Sequence, residues 1–406
     1  MEQTQTQWIV FQVGSREHYA IPRMLHKNNE LLFFVTDIWI KPQSWFARLL
    51  SFFKIPFSSR YHPQLSDAKV IHFSAFFLLF DLLSKILIFK PLQTKRDRIV
   101  SIFFAGCLFF MPKRSIVIFS YNYVAYHIFR LAQRYNISCI LGQIDAGPLA
   151  GEINRKLFEE CFSGTVKPNK DLYLKYGKKW RKECDYARYI VVNSDWSRKM
   201  LISAGIDEEK LRIIPLAYEP PVESVHFNRD FPTIFSEQRP LRVLFMGSLK
   251  LLKGIYPLLQ AIRELRDHPV EFYLVGGIQI PQYLISDLPA KCHIINRVPK
   301  EKTILYYKLC DVMILPTYSD GFAITQLEAQ AWKLPIIASL NCARIVEHNK
   351  NGILLKEITA KDIKTAILEL IDYPDKLKFF SENAIDLHQF SLDSIYRLYK
   401  LLIDSK

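Results

Sequence analysis

Short apolar runs alternate with longer stretches of helical apolar spacing through the second half of the chain. The runs 241–249, 270–277 and 311–316 reach glycine or proline near their ends, as strands buried on both faces do. Between them, residues 254–265 and 300–310 repeat apolar side chains at intervals of three and four. This alternation predicts βαβ units and a parallel sheet, which is a Rossmann-like α/β domain.

The first half repeats the alternation less regularly. Apolar runs predict buried strands at 8–14, 29–37, 113–122, 137–145, 187–195 and 210–221. Residues 194–205 combine a candidate N-cap, helical spacing and a closing glycine. A proline-rich break follows residue 219, so we predict an N-terminal domain at 1–222 and a C-terminal domain at 223–390. The amphipathic spacing of residues 391–406 predicts a terminal helix.

Three strongly apolar segments fit this alternation poorly. Residues 70–92 are nearly long enough to span a bilayer but contain three ionisable side chains that are costly at bilayer depth. Residues 99–112 are too short to span, and residues 45–57 mix aromatic and basic side chains as a helix in the headgroup layer does. Buried helices, contact with one face of a membrane and a transmembrane span therefore remain as alternatives.

Charge distinguishes the two halves. The chain has 406 residues, half of them apolar, which favours two globular domains and excludes a disordered protein. Its net charge is +14, and residues 1–222 hold 31 Lys and Arg against 19 Asp and Glu, whereas residues 223–406 hold 23 against 21. The basic half indicates an anionic membrane surface, nucleic acid or only a solvated basic surface. No nucleic-acid motif occurs, so nucleic acid is not expected.

Cysteine usage and the N-terminus bear on the cellular compartment. There are seven cysteines, without a CxxC pair and without histidines at metal-ligand spacing. This pattern is typical of reduced thiols in a cytosolic protein and predicts no metal site. Residues 1–7 are polar and lack the pattern of a signal peptide. We expect a cytoplasmic protein, peripheral at the inner face of the membrane if the basic half contacts lipid.

The loop 317–321 is the first candidate for chemistry, because it follows the run 311–316 at the strand end where open α/β sheets bind ligands. A helix is predicted to begin near Phe322 or Ala323, and its free N–H groups would favour a phosphate. Gly321 allows a ligand to approach the backbone closely.

Two acids flank that predicted helix start. Asp320 precedes the helix and Glu328 lies one to two turns inside it. Side chains so placed would contact different parts of one extended ligand and would not form a close acid/base pair. The alternative is that Asp320 caps the helix and Glu328 is a surface acid. Gly247, at the end of the run 241–249, and the ammonium of Lys253 add a place for a diphosphate.

These segments resemble a known family. "FMGSL", "LVGG" and "DVMILPTYSDGFAITQLEAQAWKLPIIAS" are similar to the donor half of the family 4 retaining glycosyltransferases, and the likeness covers roughly residues 187–400. Family members carry an acid, seven residues and then Glu, and Asp320 and Glu328 hold those places. The resemblance implies a GT-B fold: two Rossmann-like domains facing a cleft, with residues 391–406 packing back towards the N-terminal domain.

The resemblance also implies a function. It implies transfer of a sugar, a hexose in most members, from a nucleotide-diphosphate sugar to a hydroxyl of a lipid-linked or saccharide acceptor, with no metal required. Glu328 would bind the ribose, Asp320 the donor sugar and Lys253 the diphosphate. Backbone near Arg297 and Val298 would meet the base. The implied donor site further includes Gly14, Gly247, Ser248, Lys250, Gly321, Phe322 and Ala323.

The chain departs from the family pattern at several places. Asp320 is one methylene shorter than the usual Glu, and Ser248 stands where Arg is frequent, with Lys250 as a substitute. Lys333 stands where a small residue is usual. Asp145 occupies the place of a family His and is a catalytic candidate with Lys253 and Asp320, since it could accept a proton or steady positive charge. Its alternative role is to turn a loop.

Residues 13–25 resemble the family loop that faces the donor across the cleft. Arg16, Glu17 and His18 would line the acceptor side, although His18 could equally be a helix-start residue with no ligand. Two other functions remain open. One is a sugar-nucleotide epimerase or hydrolase of the same fold, and the other is a non-catalytic nucleotide-binding protein at a membrane surface.

Overall fold

The computed structural model describes residues 6–52, 57–84, 95–162 and 177–404. In these ranges the first sheet contains β1 (Gln7–Gln12), β2 (Leu31–Thr36), β3 (Val70–His72), β4 (Ile116–Tyr121), β5 (Ser138–Gly142), β6 (Tyr189–Val192) and β7 (Leu211–Ile213). The second sheet contains β8 (Leu241–Met246), β9 (Val270–Val275), β10 (Cys292–Ile295), β11 (Val312–Leu315), β12 (Ile336–Ala338) and β13 (Gly352–Leu354).

Helices separate these strands along the chain. Those of the first half are α1 (Ala20–Lys27), α2 (Trp45–Phe52), α3 (Ser74–Ser84), α4 (Arg96–Leu108), α5 (Ala125–Arg134), α6 (Pro148–Phe162), α7 (Lys178–Tyr186) and α8 (Asp195–Ser203). Those of the second half are α9 (Ile255–Glu264), α10 (Lys300–Leu309), α11 (Thr325–Ala331), α12 (Ala360–Asp372), α13 (Asp375–Glu382) and α14 (Leu392–Asp404).

Both sheets are parallel and open. The first has the order β3-β2-β1-β4-β5-β6-β7 and the second has the order β10-β9-β8-β11-β12-β13. The order reverses beside β1 in one sheet and beside β8 in the other, and such reversals leave a crevice at the carboxyl ends of the strands. The prediction of two Rossmann-like domains is therefore confirmed. The sheets are joined by residues 214–240, within which the predicted boundary at residue 222 falls.

The terminal helix belongs to the packing of the first domain. Along β1, Ile9 and Phe11 face one core while Trp8 and Val10 face another, as the two-residue period of a strand requires. The second of these cores includes Tyr399 of α14, whose ring meets that of Trp8 edge-on at 6.2 Å. The predicted return of the C-terminal helix to the N-terminal domain is confirmed.

The apolar segment 70–92 divides into two elements. Its start forms the edge strand β3, which the continuous apolar pattern did not separate from the helix that follows, and α3 continues to Ser84. Residues 85–94 lie outside the described ranges, as do residues 53–56 of the segment 45–57. Helix α3 buries Phe77 but exposes Phe76 and Leu79. In the ranges given above, no helix combines the length and the apolarity needed to cross a membrane.

Candidate active site

The loop after β11 touches the first domain directly. The hydroxyl of Ser194, at the N-cap of α8, donates to the carbonyl oxygen of Gly321 at 2.5 Å, and the Ser197 hydroxyl donates to the same oxygen at 3.2 Å. A Cβ on Gly321 would lie 2.9 Å from the carbonyl oxygen of Ile144. A larger side chain at this position would therefore force the two domains apart.

Two adjoining cavities occupy the cleft between the domains. The first, of about 290 Å³, is called the lysine cavity, and its lining includes Gly247, Lys253, Asp320, Phe322, Ala323 and Thr325. The second, of about 380 Å³, is called the glutamate cavity, and its lining includes Arg16, Glu17, His18, Arg23, Lys300 and Glu328. Ile144, Asn193, Leu216 and Ile324 line both, so the two cavities form one continuous cleft.

Lys253 and Asp320 form an ion pair in the lysine cavity. Lys253 ends a 3-10 turn after β8, and Gly254, with φ of 70°, allows that turn to pack onto the backbone of Pro316 at the end of β11. Asp320 is held from the other side, because its N–H donates to the carbonyl oxygen of Asn341 at 2.9 Å. The pairing places Lys253, the residue predicted to bind the diphosphate, in direct contact with Asp320, the residue predicted to bind the sugar.

Two opposing effects act on the pKa of Lys253. Burial, aided by the nearby Lys250 ammonium, lowers the pKa to about 7. The carboxylate of Asp320, in direct contact with the ammonium, opposes this lowering of the pKa because it favours the charged form. Burial also lowers the pKa of Lys250, while Asp145 across the cleft raises it.

The helix after Asp320 begins later than predicted. Helix α11 starts at Thr325 rather than near Phe322 or Ala323, and it has seven residues. Ala323 has a left-handed φ of 60°, which interrupts the helix and lets Phe322 pack into the core. The Phe322 ring lies 6.1 Å from that of Phe390. The predicted helix start beside the phosphate is therefore moved two to three residues later.

Glu328 is positioned by a tyrosine of the preceding helix. The Tyr307 hydroxyl donates to Glu328 Oε2 at 2.7 Å, and burial raises the pKa of Tyr307 well above its usual range. Helix α11 thus carries Glu328 at the glutamate cavity while Asp320, eight residues earlier, lies at the lysine cavity. At the end of the helix, Lys333 has a left-handed φ of 50°, a conformation that glycine and asparagine adopt more readily than lysine.

The loop after β1 faces the second domain in a strained conformation. Glu17, His18 and Tyr19 have φ of 50°, 49° and 60°, which is unfavourable for three successive residues other than glycine. The loop is anchored at Gly14, whose N–H donates to the buried carboxylate of Asp37 at 2.9 Å. Because that N–H is already bonded, Gly14 can donate it to a nucleotide-sugar only if Asp37 releases it.

The acceptor-side candidates all reach the glutamate cavity. Burial raises the pKa of Glu17 from 4.5 to about 7, although the Tyr121 hydroxyl, which donates to it at 3.0 Å, and Arg16 lower it. His18 Nε2 lies 2.7 Å from Lys300 Nζ of the other domain. Burial and this ammonium lower the pKa of His18, so Lys300 donates to a neutral imidazole.

The carboxylate of Asp145 accepts hydrogen bonds from its own domain. It accepts from the Tyr123 hydroxyl at 2.5 Å, from Gln143 Nε2 at 2.8 Å and from the Gly147 N–H at 3.0 Å. The last bond closes a turn in which Gly147 has φ of 77°. This geometry is that of a loop-turning residue, and the neighbouring Ile144 lines both cavities.

The remaining predicted residues differ in position. Ser248 follows Gly247 at the end of β8 and is half-buried. Val298 is half-buried and Arg297 exposed, and both precede α10. The guanidinium of Arg297 lies beside the end of β9, because a Cβ built on Gly277 would be 3.8 Å from it.

Sequence reasoning missed a buried arginine in the glutamate cavity. Arg23 donates to Glu219 at 2.5 Å and to Gln64 at 2.7 Å. Glu219 lies in the connection between the domains, so the pair ties α1 to that connection. Arg23 falls within the segment 13–25, but nothing in its spacing identifies its partner 196 residues away. His62, which also lines the cavity, has its pKa lowered to about 4 by burial and by Arg23.

Two Rossmann-like domains that meet at the carboxyl ends of their strands define the GT-B fold. Residues 240–373, which form most of the second domain, match the family described as "Glycosyl transferases group 1". Over 214 residues, 48% of this chain and 47% of the relative, the chain is 26% identical to "D-inositol 3-phosphate glycosyltransferase 2" of Catenulispora acidiphila. The chain spans about half the length of the curated relatives it matches.

Solved structures share the fold over the whole chain. Anabaena Alr3699/HepE in complex with UDP and glucose superposes with a TM-score of 0.62 at 14% identity, covering 99% of this chain and 100% of that chain. A variant of TarM from S. aureus, in complex with fondaparinux, alpha-GlcNAc-glycerol and UDP, gives a TM-score of 0.65 at 10% identity with coverage of 99% and 100%. These likenesses establish the GT-B fold of the chain.

Proposed function

We propose that this protein is a retaining glycosyltransferase that moves a sugar from a nucleotide-diphosphate sugar to an acceptor hydroxyl. One observation carries the proposal: the lysine cavity and the glutamate cavity are joined, with Asp320, in the loop before α11, at the first and Glu328, on α11, at the second. Ribose, diphosphate and sugar would extend along this cleft in the order Glu328, Lys253, Asp320. UDP sugars are the first donors to test, because the solved structures of Alr3699/HepE and TarM contain UDP.

Each of these residues has a role in the proposed transfer. Glu328, oriented by Tyr307, accepts hydrogen bonds from the ribose hydroxyls. Lys253 and the neighbouring Lys250 stabilise the charge that grows on the leaving diphosphate. When the diphosphate takes the Lys253 ammonium, Asp320 becomes available to the hydroxyls of the transferred sugar.

The mechanism needs neither a metal ion nor a protein nucleophile in this proposal. The two lysines supply the positive charge, so turnover should survive EDTA. The acceptor hydroxyl attacks from the face that the diphosphate leaves and gives its proton to the departing phosphate oxygen, which retains the configuration at the anomeric carbon. NMR of the product from an α-linked donor tests retention, and a β-linked product would overturn it.

The acceptor and the cellular site complete the proposal. We propose a lipid-linked or polysaccharide-precursor acceptor and peripheral contact with the inner face of the membrane. Large apolar side chains on three helices of the basic first domain support this. They are Trp45, Leu49 and Phe52 on α2, Phe76, Leu79, Leu82 and Leu83 on α3, and Ile102 on α4 with Phe109 and Phe110 just after it. Exposed apolar patches of this kind mark interaction surfaces.

Donor binding and product analysis test the enzyme function. UDP, GDP, ADP and their sugars are screened by thermal shift, where a ligand at 100 times its Kd adds about 2.7 kcal/mol to the free energy of unfolding. A labelled UDP sugar is then incubated with and without membrane lipid extract. Label that enters lipid supports transfer, whereas complete conversion to free sugar or to an epimer without acceptor would replace it with hydrolysis or epimerisation.

A further inference from the structure

A groove of about 310 Å³ lies between α4 and α5, on the helical surface of the first domain. One wall consists of Ile102, Ala105, Gly106 and Phe109, and the other consists of His127, Arg130, Leu131 and Arg134. Both sets follow the helical spacing of three and four residues, so each is one continuous face. The groove is therefore apolar on the α4 side and carries two cations, Arg130 and Arg134, on the α5 side.

The cationic wall is not neutralised by acids of the groove. No acidic residue lines it in the described part of the chain. Burial lowers the pKa of His127, and the next causes are the cations Lys179, Arg98 and Arg130. Its Nε2 is buried and finds no hydrogen-bond partner among the described residues. This clustering of like charges around a free ring nitrogen favours an anion.

The apolar wall continues into exposed aromatic surface. Phe109 is 57% exposed and Phe110, which follows it, is 93% exposed. Also on α4, the Phe103 ring lies 4.7 Å from that of Phe76, tilted by 31°, and Phe76 belongs to the exposed face of α3. An anion site bordered by exposed aromatic residues matches the interface of an anionic bilayer, where phosphates lie above acyl chains. Duplex nucleic acid offers phosphates but would leave these side chains in water, whereas a single strand, whose bases stack on aromatic rings, is the alternative tested below.

We propose that the α4–α5 groove binds the phosphate of an anionic phospholipid headgroup, with Ile102 and Phe109 against the upper acyl region. Arg130 and Arg134 contact the phosphate, and Phe110 enters the bilayer interface beside it. The inference rests on the membrane contact proposed above and names its lipid class. It is independent of the donor site, which lies in the cleft between the domains.

Co-sedimentation of the full chain with vesicles tests the groove. Wild-type protein should bind vesicles of phosphatidylglycerol and phosphatidylcholine far better than vesicles of phosphatidylcholine alone. The variant Arg130→Gln/Arg134→Gln should bind the anionic vesicles about 30-fold more weakly, since each basic residue near an anionic surface contributes roughly fivefold. The matched control Lys361→Gln/Lys378→Gln removes the same charge from exposed positions of the second domain and should lose less than threefold.

A steric variant separates the groove from general charge. A Cβ on Gly106 would meet no atom within 4 Å, so Gly106→Leu adds bulk to the groove without a clash at Cβ and keeps every cation. It should reduce anionic-vesicle binding about as strongly as the double arginine variant. Thermal unfolding and the shift produced by UDP confirm that each variant is folded.

The outcomes separate this inference from the proposed function. If both groove variants bind anionic vesicles like wild type, the groove is not the headgroup site although membrane contact stands. If wild-type protein binds neither vesicle, membrane contact and the headgroup site both fail while donor binding is unaffected. If the groove variants instead lose binding to single-stranded RNA and keep binding to vesicles, the anion is nucleic acid and the inference is overturned.

Discussion

Lys253 and Asp320 are 67 positions apart in the chain and form an ion pair where the ends of β8 and β11 meet. A diphosphate that enters the lysine cavity must compete with Asp320 for the Lys253 ammonium. Donor binding would therefore exchange the partners of the pair: the phosphate of the nucleotide-sugar would bind the Lys253 ammonium, and the freed Asp320 carboxylate would contact the sugar. Both halves of this exchange can be tested separately.

Lys253→Gln should weaken binding of UDP by about 10- to 100-fold, because a charge-assisted hydrogen bond to the diphosphate is lost. Isothermal titration with UDP measures the change, and uridine, which lacks phosphates, should bind wild type and variant equally. Equal UDP affinity in the two proteins would remove Lys253 from the donor site.

Asp320→Asn tests the other partner. It releases Lys253 from its competitor, so UDP should bind at least as tightly as to wild type. The preference for a UDP sugar over UDP should disappear, since the carboxylate no longer meets the sugar. A variant that loses UDP and UDP-sugar affinity to the same extent would show that Asp320 only shapes the loop.

Glu328→Gln should weaken UDP binding about tenfold or more, because a neutral amide accepts weaker hydrogen bonds from the ribose hydroxyls. Tyr307→Phe removes the hydroxyl that orients Glu328 and should weaken UDP binding by a smaller factor, about threefold to tenfold. Comparison with 2′-deoxy-UDP is the decisive measurement. Glu328→Gln should discriminate the two nucleotides less than wild type does, and an unchanged ratio would contradict the ribose contact.

Ser194→Ala/Ser197→Ala should destabilise the contact between the domains. Without these hydroxyls the buried carbonyl oxygen of Gly321 has no donor from α8, which costs about 1–3 kcal/mol. Small-angle scattering should give a larger radius of gyration for the variant without ligand, and addition of UDP should restore the compact form in part. Asp195→Ala, in the same helix, is the control and should leave the radius of gyration unchanged.

The raised pKa of Glu17 predicts a pH dependence of stability. Its pKa is about 7 in the folded protein and ordinarily 4.5, so the folded state holds this proton more firmly. The free energy of unfolding should therefore be highest at low pH for this group and fall as pH rises from about 4.5 to 7. Glu183, whose pKa burial also raises to about 7, contributes in the same window.

Glu17→Gln should flatten this profile. Urea unfolding between pH 5 and 6.5 should show a slope reduced by up to about 1.4 kcal/mol per pH unit, which corresponds to one proton. The exposed Glu159→Gln is the control and should leave the slope as in wild type. A variant profile parallel to that of wild type would mean that Glu17 is ionised throughout.

Local patterns along the chain were enough to predict most elements. Continuous apolar runs predicted β8, β9 and β11 to within a few residues, because strands covered by helices on both faces have no polar face. Helical spacing predicted α9, α10 and α14, because a helix with one buried face repeats its apolar side chains every three to four residues. The edge strand β3 was not predicted, because three residues at the start of a longer apolar segment show no periodicity of their own.

At the start of α11 the tertiary structure differs from the local helix preference of the residues. Phe322 and Ala323 are both compatible with a helix, and the sequence therefore predicted the helix to begin there. In the structure the Phe322 ring packs against Phe390, Ala323 is left-handed, and the helix starts only at Thr325. The partner of Phe322 lies 68 positions later, beyond the reach of any local pattern.

The sequence by itself determined two parallel α/β domains, the excess of positive charge in the first, and the acid spacing that led to Asp320 and Glu328. Only the tertiary structure decided which groups meet: Lys253 with Asp320, Tyr307 with Glu328, and His18 with Lys300. The reason is physical. Periodicity along one element reports which of its faces is buried, but contacts between side chains depend on how separate loops are brought together when the two sheets pack.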